Sequence, residues 1–273
     1  MTPRIWIGET LRWYLKHARH PFKDYLTGRY WSWFARPRLW VRYDDDATIG
    51  VRLGDYLQQR IFFDGYYERP LIEWLKRTLR PDDVFWDVGA NVGAITLVAA
   101  RLCRHVVAFE PDPRSVEALT SNIRINRLKN VEVQAVALGA EGGRAVLHQT
   151  GPANTGRTSL IGERGDVVGQ TEVTVVRADD VIAAHPELAP TIMKIDVEGA
   201  EHLVIRGAAE LLRGQRVRAI VFEDRRDDKA GPSNAELLAS LGEGHYRVEP
   251  FNVSDAHLDD GMYNFLATPS PRS

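Results

Sequence analysis

The chain has 273 residues and a single cysteine, Cys103, so no disulfide can form within it. A sequence of this kind suits a reducing compartment, and we expect a cytoplasmic protein. No apolar run approaches the ~20 residues that a membrane-spanning helix requires, and charged residues interrupt the N-terminus where the apolar part of a signal peptide would lie. These absences argue against a secreted disulfide scaffold and against an integral membrane protein.

The sequence also lacks the signatures of several common enzyme classes. None of the eight histidines stands at the spacing of zinc ligands. There is neither a Gly-x-Ser-x-Gly nucleophile motif nor a Walker phosphate loop. The net charge of -2 gives no reason to expect a nucleic-acid partner.

The composition is that of an ordinary globular protein, with 44% apolar and 26% charged residues, and strand-like segments alternate with helix-like ones. The predicted strands of the main sheet cover 84–88, 105–109, 131–137, 192–197, 219–223, 246–251 and 262–267. The predicted helices between them cover 94–103, 113–126, 200–212 and 233–241. This alternation predicts an α/β fold with a doubly wound, mainly parallel sheet, and segments 142–148 and 171–177 predict an antiparallel insertion.

Residues 1–42 form a basic and aromatic unit outside this pattern. They hold nine lysines and arginines against two acids, a net charge of +7, and five of the seven tryptophans. Two interpretations stay open: a helical cap whose aromatic side chains pack on the main domain, or a surface for a membrane or an anionic partner. We divide the chain into an N-terminal extension (1–45), a strand and helix lead-in (46–80), the main domain (81–268) and a flexible tail (269–273).

The stretch from 84 to 93, VFWDVGANVG, predicts a strand that runs through a glycine loop into a helix. Such a loop at the carboxyl edge of a parallel sheet is a site for a nucleotide-like ligand. It differs from the dinucleotide fingerprint, because Asn91 stands where a second glycine would let the backbone meet a pyrophosphate. Asp87 would repel a phosphate and suits a cationic group such as an amine.

Further carboxylates follow the other predicted strands. Glu110 ends the second strand, where a carboxylate can accept both hydroxyls of a ribose in NAD sites and in S-adenosylmethionine (AdoMet) sites alike. Asp196 and Glu198 end the fourth strand, and Glu223 ends the fifth. These acids would face one crevice, and they are candidates for acid–base groups or for half of a Mg²⁺ site.

Together these motifs resemble the FkbM family of AdoMet-dependent methyltransferases. The resemblance lies in DVGANVG (87–93), EPD (110–112) and KIDVEGAE (194–201), and it extends over about residues 50–267. It implies a seven-stranded class I methyltransferase fold, Rossmann-like, with a reversed last strand. It also implies AdoMet as cofactor and methylation of an oxygen on a sugar, a polyketide or a related small molecule.

The resemblance implies cofactor contacts residue by residue. The residues implied to bind AdoMet are Glu68, Asp87, Gly89, Asn91, Gly93, Glu110, Pro111 and Ala137. Among them, Glu68 would approach the amino group, Glu110 would take the ribose hydroxyls, and Ala137 would lie near the adenine.

The residues expected to act on or bind the acceptor are Asp196, Glu198, Glu223, Asn154 and Ser159. Asp196 is the first choice for a base, because it would face the transferring methyl group. One departure from the family pattern follows the fifth strand: a histidine often stands there, whereas Arg225 and Arg226 stand here.

Two other function classes stay open. An NAD-dependent oxidoreductase is disfavoured by Asp87 and Asn91, and a non-catalytic, membrane- or complex-associated module is favoured by the basic, aromatic N-terminus. In the methyltransferase interpretation the partner is a small-molecule or glycan acceptor, peripheral membrane contact through residues 1–42 is an option, and Mg²⁺ is compatible but not required.

Overall fold

The computed structural model describes residues 3–17, 37–44, 46–151, 160, 167–225, 234–251 and 262–271. In chain order, the helices found there are α1 (Pro3–His17), α2 (Tyr56–Asp64), α3 (Arg69–Thr78), α4 (Ala94–Ala99), α5 (Pro113–Ile125), α6 (Ala178–Ala184), α7 (Glu201–Gly207), α8 (Ala209–Arg213) and α9 (Ala235–Glu243). The strands are β1 (Leu39–Tyr43), β2 (Ala47–Val51), β3 (Val84–Val88), β4 (His105–Phe109), β5 (Val131–Gln134), β6 (Ala137–Leu138), β7 (Gly143–Thr150), β8 (Val167–Val176), β9 (Ile192–Ile195), β10 (Ala219–Arg225), β11 (Tyr246–Pro250) and β12 (Met262–Pro269).

Seven strands form one sheet in the order β11-β12-β10-β9-β3-β4-β5. The pairs from β5 to β10 are parallel, whereas β12 is antiparallel to both of its neighbours. The chain order reverses at β3, which has β4 on one side and β9 on the other. Ligands bind at the carboxyl ends of the strands beside such a switch point. The predicted doubly wound α/β fold with a reversed last strand is therefore confirmed.

The central strand β3 is covered on both faces, and all five of its residues are buried. Successive side chains point to opposite faces of a sheet, so Phe85 and Trp86 belong to two different hydrophobic cores. The Trp86 indole donates from Nε1 to the carbonyl oxygen of Leu188 over 2.7 Å. A strand buried on both faces reads as a continuous apolar run, which explains why the bounds of β3 were predicted correctly.

The N-terminal strands and helices pack into the same core as α4 and one face of β3. Two asparagines, Asn122 in α5 and Asn126 at its C-cap, join β2 to α5 and to the glycine loop after β3. Asn122 accepts from Gly50 N over 2.8 Å and donates to Val92 O over 2.7 Å. Asn126 accepts from Thr48 N over 2.9 Å and donates to Thr48 O over 2.6 Å. Each helix in the described part of the chain is too short or too polar to cross a bilayer.

Several predicted elements differ from the structure. The strand predicted over 131–137 ends at Gln134, and Ala137 begins β6, which pairs with β8 in a separate three-stranded sheet. The helix predicted over 94–103 ends at Ala99, and the helix predicted over 200–212 is divided into α7 and α8. Helix α6 was not predicted. Its Asp179 accepts from two backbone N–H groups at the start of α8, both over 3.0 Å, and so caps that helix. The division of the chain into four segments stays a prediction.

Candidate active site

The glycine loop after β3 lies directly against the end of β9. Gly89 has a φ of 81°, in the left-handed region that favours glycine. A Cβ at this position would overlap the carbonyl oxygen of Asp196. The loop closes with Gly93, whose φ is 90° and where a Cβ would lie 2.5 Å from Leu119 Cδ1. Gly89 therefore allows a backbone contact that any other residue type would prevent, and a Cβ at position 93 would require the Leu119 side chain to move.

Glu110 ties this loop to the loop after β4. Its Oε2 accepts from Asn91 N over 2.7 Å, and its Oε1 accepts from Asp112 N over 2.9 Å. The residue is 7% exposed, and burial raises the pKa of Glu110 to about 7, against the lowering effect of these two backbone hydrogen bonds. Each carboxylate oxygen has a second lone pair, so Glu110 can accept further hydrogen bonds from a ligand.

A buried lysine links the ends of β3 and β9. Lys194 Nζ lies 3.0 Å from Asp196 Oδ2 and 3.8 Å from Asp87 Oδ1. Burial opposes the charge on this ammonium, but the neighbouring carboxylates of Asp196 and Asp87 raise the pKa of Lys194 above its ordinary value. Lys194 is therefore a permanent positive charge between two strand ends.

Asp87 is fully buried, and only one of its two carboxylate oxygens accepts a hydrogen bond from a described residue. Thr96 Oγ1 donates to its Oδ2 over 2.5 Å. Its Oδ1 has no hydrogen-bond partner among the described residues. Burial raises the pKa of Asp87, while Lys194 and then Thr96 act in the opposite direction. A buried carboxylate oxygen without a donor is costly, so this atom favours a ligand that can donate a hydrogen bond.

Glu68 lies outside the sheet, just before α3, and its backbone has a left-handed conformation with φ of 50°. Its carboxyl interacts electrostatically with Lys194 and Asp87. Asn264 Nδ2 donates to its Oε1 over 3.2 Å. Its Oε2 is buried and has no hydrogen-bond partner in the described part of the chain. Burial raises the pKa of Glu68 to about 7, and Lys194 opposes this effect. Glu68 and Asp87 thus present two unsatisfied acceptor atoms to one region.

The remaining acids of the crevice differ in their roles. Burial, followed by the charges of Asp196 and Glu198, raises the pKa of Glu223 to about 10, which favours its protonated form. Glu198 lies in a turn with φ of 56°. Glu201 holds this turn, since its Oε1 accepts from two backbone N–H groups of the turn at 3.0 and 3.1 Å. Glu201 is therefore a structural residue of the site.

The other residues predicted for the site are less informative. Pro111 follows Glu110 at the loop after β4, and Arg225 is exposed at the end of β10. Ala137 is buried in β6, on a different sheet from β5. Outside the described residues lie Asn154, Ser159 and Arg226. The roles inferred for these residues stay predictions.

Sequence reasoning gave no role to the side chains that hold the carboxylates, Lys194, Thr96 and Asn264. A signal existed for Lys194, because it interrupts the otherwise apolar strand β9, and a charge in a buried strand requires a partner. Among the described residues, no group of three or more His, Cys, Asp or Glu side chains is arranged to bind a metal ion. The Mg²⁺ option stays a prediction.

The chain is similar to several known methyltransferases. Residues 87–248 match the methyltransferase FkbM domain. The chain is 31% identical to the 31-O-demethyl-FK506 methyltransferase FkbM of Streptomyces tacrolimicus, over 74% of this chain and 87% of that protein. It is 27% identical to the hexuronic acid methyltransferase AglP of Haloferax volcanii, over 57% of this chain and 62% of that protein. A solved FkbM methyltransferase from Methylobacillus flagellatus KT superposes with a TM-score of 0.46 at 17% identity, covering 78% of this chain and 52% of that one.

Proposed function

The chain belongs to the FkbM family of methyltransferases, and we propose that it moves a methyl group from AdoMet to a hydroxyl oxygen of a small molecule or glycan. The observation that carries this proposal is the pair of unsatisfied buried oxygens, Asp87 Oδ1 and Glu68 Oε2, beside the glycine loop. AdoMet has an amino group that can donate to both. The pyrophosphate of NAD would instead meet carboxylates of like charge, which disfavours the oxidoreductase alternative.

The other loop residues also fit AdoMet. Gly89 has no Cβ and brings the loop against the end of β9, so the backbone can approach the methionine part of the ligand. Glu110 is held by two loop N–H groups at the end of β4, the position from which a carboxylate takes ribose hydroxyls. The unusual backbone of Asn91, with φ of 49°, turns its N–H toward Glu110. We infer that Asn91 orients this carboxylate.

In the proposed reaction, bound AdoMet would supply a methyl group that its positive sulfur activates, with S-adenosylhomocysteine as the leaving group. The protein then contributes mainly by position. Asp87 and Glu68 would hold the amine of the methionine part, and Glu110 would hold the ribose on the other side of the sulfur. Holding the acceptor oxygen in line with the methyl group and the sulfur can lower the activation free energy by ~7–11 kcal/mol.

Asp196 is our choice for the group that accepts the proton of the acceptor hydroxyl. It lies at the end of β9 with 23% of its side chain exposed, and Lys194 donates to its Oδ2 over 3.0 Å, which orients the carboxylate. A base in this position adds ~10²–10⁴-fold to the rate. Glu198 is the second candidate. Glu223 is a weaker one, because its raised pKa of about 10 favours the protonated form.

The acceptor class rests on the relatives. Their names state that one acts on 31-O-demethyl-FK506 and another on a hexuronic acid. We propose a hydroxylated acceptor of the sugar or polyketide class for this chain. We place the reaction in the cytoplasm, because a chain with one cysteine gains no internal disulfide from an oxidising compartment.

Calorimetric titration with AdoMet, S-adenosylhomocysteine and NAD tests the cofactor. We expect binding of the first two only, and Glu110→Ala should weaken both by roughly tenfold or more, the range for a lost charge-assisted hydrogen bond. Tighter binding of NAD than of AdoMet would overturn the proposed function. Unchanged affinity in Glu110→Ala would remove Glu110 from the ribose contact.

Methyl transfer from labelled AdoMet to a panel of hydroxylated sugars and polyketides tests the reaction. Asp196→Asn should keep S-adenosylhomocysteine affinity within about twofold and lower turnover by ~100-fold or more. The control is Asp82→Asn, the same substitution at an exposed position, which should behave as wild type. Equal turnover in Asp196→Asn and wild type would exclude Asp196 as the base.

A further inference from the structure

One side of α1 exposes large apolar side chains. Trp6 is 62% exposed, Ile7 is 63% exposed and Trp13 is 63% exposed. Trp6 and Trp13 stand seven residues apart, which places them on one side of a helix two turns apart. The exposed residues of this side, Trp6, Ile7, Thr10 and Trp13, are called the outer face of α1 below. Among the tryptophans that the structure describes, the others are buried or half-buried.

The opposite side of α1 is fixed to the rest of the protein. Gly8 is buried against the backbone of Trp40, where a Cβ would overlap the carbonyl oxygen. Arg12 Nη2 donates to Arg42 O over 3.0 Å, and Lys16 Nζ donates to Phe63 O over 2.8 Å. The outer face is therefore held pointing away from the protein, and it does not turn inward to pack.

The acidic charge of α1 is compensated within the protein. Glu9 is the only acidic residue of α1. Its carboxylate accepts from Arg42 N over 2.7 Å and forms an ion pair with Arg12 at 3.3 Å, so protein groups compensate its negative charge. Residues 1–42 as a whole carry a net charge of +7, while the rest of the chain carries -9. The indole rings of the outer face thus belong to a segment whose sequence is strongly basic.

From this combination we infer that the outer face of α1 binds the surface of an anionic phospholipid bilayer. Tryptophan rings settle at the boundary between headgroups and acyl chains, and basic residues close to an anionic surface add attraction. A second copy of the chain is a poorer occupant. The exposed parts of the three apolar side chains come to roughly 400 Å², taking about 250 Å² for a whole tryptophan, whereas a stable interface buries about 800 Å² per partner.

Co-sedimentation of the full chain with vesicles tests this inference. We expect binding to vesicles of phosphatidylcholine with phosphatidylserine, weaker binding to pure phosphatidylcholine, and a further decrease as salt rises from about 50 to about 500 mM. Trp6→Ala/Trp13→Ala should lower the partition coefficient on the order of tenfold for each indole removed. Both side chains are exposed, so the variant should fold, and its S-adenosylhomocysteine affinity should match wild type.

The matched control is Val168→Ala, which removes an apolar side chain of equal exposure, 62%, from β8. This control should bind vesicles as wild type does. The inference fails when the wild type stays in the supernatant with anionic vesicles, or when the double tryptophan variant sediments as well as the wild type. A wild-type dimer that becomes a monomer in the double variant, measured by light scattering without vesicles, would assign the outer face to a second copy and overturn the lipid assignment.

Discussion

Replacing Lys194 with methionine removes the one positive charge that the described residues place among the site carboxylates. At the 3.8 Å that separates Lys194 Nζ from Asp87 Oδ1, and at an effective dielectric constant of about 20, two unit charges attract by about 4 kcal/mol. Lys194 lowers the pKa of both Glu68 and Asp87 against the effect of burial. Without it, these carboxyls bind protons at higher pH, and a neutral carboxyl no longer attracts the amine of the cofactor.

The expected result is a shift in the pH dependence of ligand binding. In the wild type, S-adenosylhomocysteine affinity should rise with pH around 7, because the pKa of Glu68 is about 7. In Lys194→Met this rise should move up by at least ~1 pH unit, which corresponds to ~1.4 kcal/mol. This is about a third of the attraction worked for the Lys194–Asp87 pair, because the described residues show no ion pair within 4 Å between Lys194 and Glu68. Affinity at pH 7 should then fall roughly tenfold and recover near pH 8.5.

Calorimetric titration between pH 6 and 8.5 measures this shift. Lys129→Met is the control, because it makes the same substitution at an exposed position, and the amine of the ligand titrates identically in each variant. An affinity loss of the same size at every pH would mean that Lys194 only supports packing. An unchanged pH profile would refute the role of Lys194 in keeping the carboxylates ionised.

Two further predictions concern stability. Gly89→Ala should destabilise the fold by about 2–4 kcal/mol, because strain at a positive φ adds to overlap with the Asp196 carbonyl. The control is Gly65→Ala, which has a φ of 84° but no atom within 4 Å of the added Cβ, and which should cost only ~1–2 kcal/mol. Equal losses of unfolding free energy in the two variants, measured by denaturant unfolding, would refute the overlap. Burial raises the pKa of Glu201 to about 7, so the folded protein holds this proton more tightly than the unfolded chain, and stability should fall by about 3 kcal/mol as pH rises from about 4.5 to 7. Glu201→Gln, whose Oε1 can still accept both backbone hydrogen bonds, should remove that part of the pH dependence, and an unaltered slope of unfolding free energy against pH would contradict the assignment.

The success of the sequence predictions depended on whether a local pattern decided the structure. The bounds of β3 and β4 were correct, because each is a short apolar run ended by polar or glycine residues. The strand predicted over 131–137 was wrong beyond Gln134, because residue pattern does not reveal which sheet a strand joins. Helix α6 was missed because its role, capping α8 through Asp179, depends on a contact about 30 residues away in the chain.

By itself, the sequence determined the order of strands and helices, the glycine loop and the acids at the strand ends, because each depends on residue types at short spacing. Only the tertiary structure decided how these acids differ. It brings Glu68 from outside the sheet to the region of Asp87, places Lys194 between Asp87 and Asp196, and turns Glu201 into a support for its own loop. Burial and charge depend on neighbours distant in sequence, so the protonation of these carboxyls follows from the fold and not from the motifs.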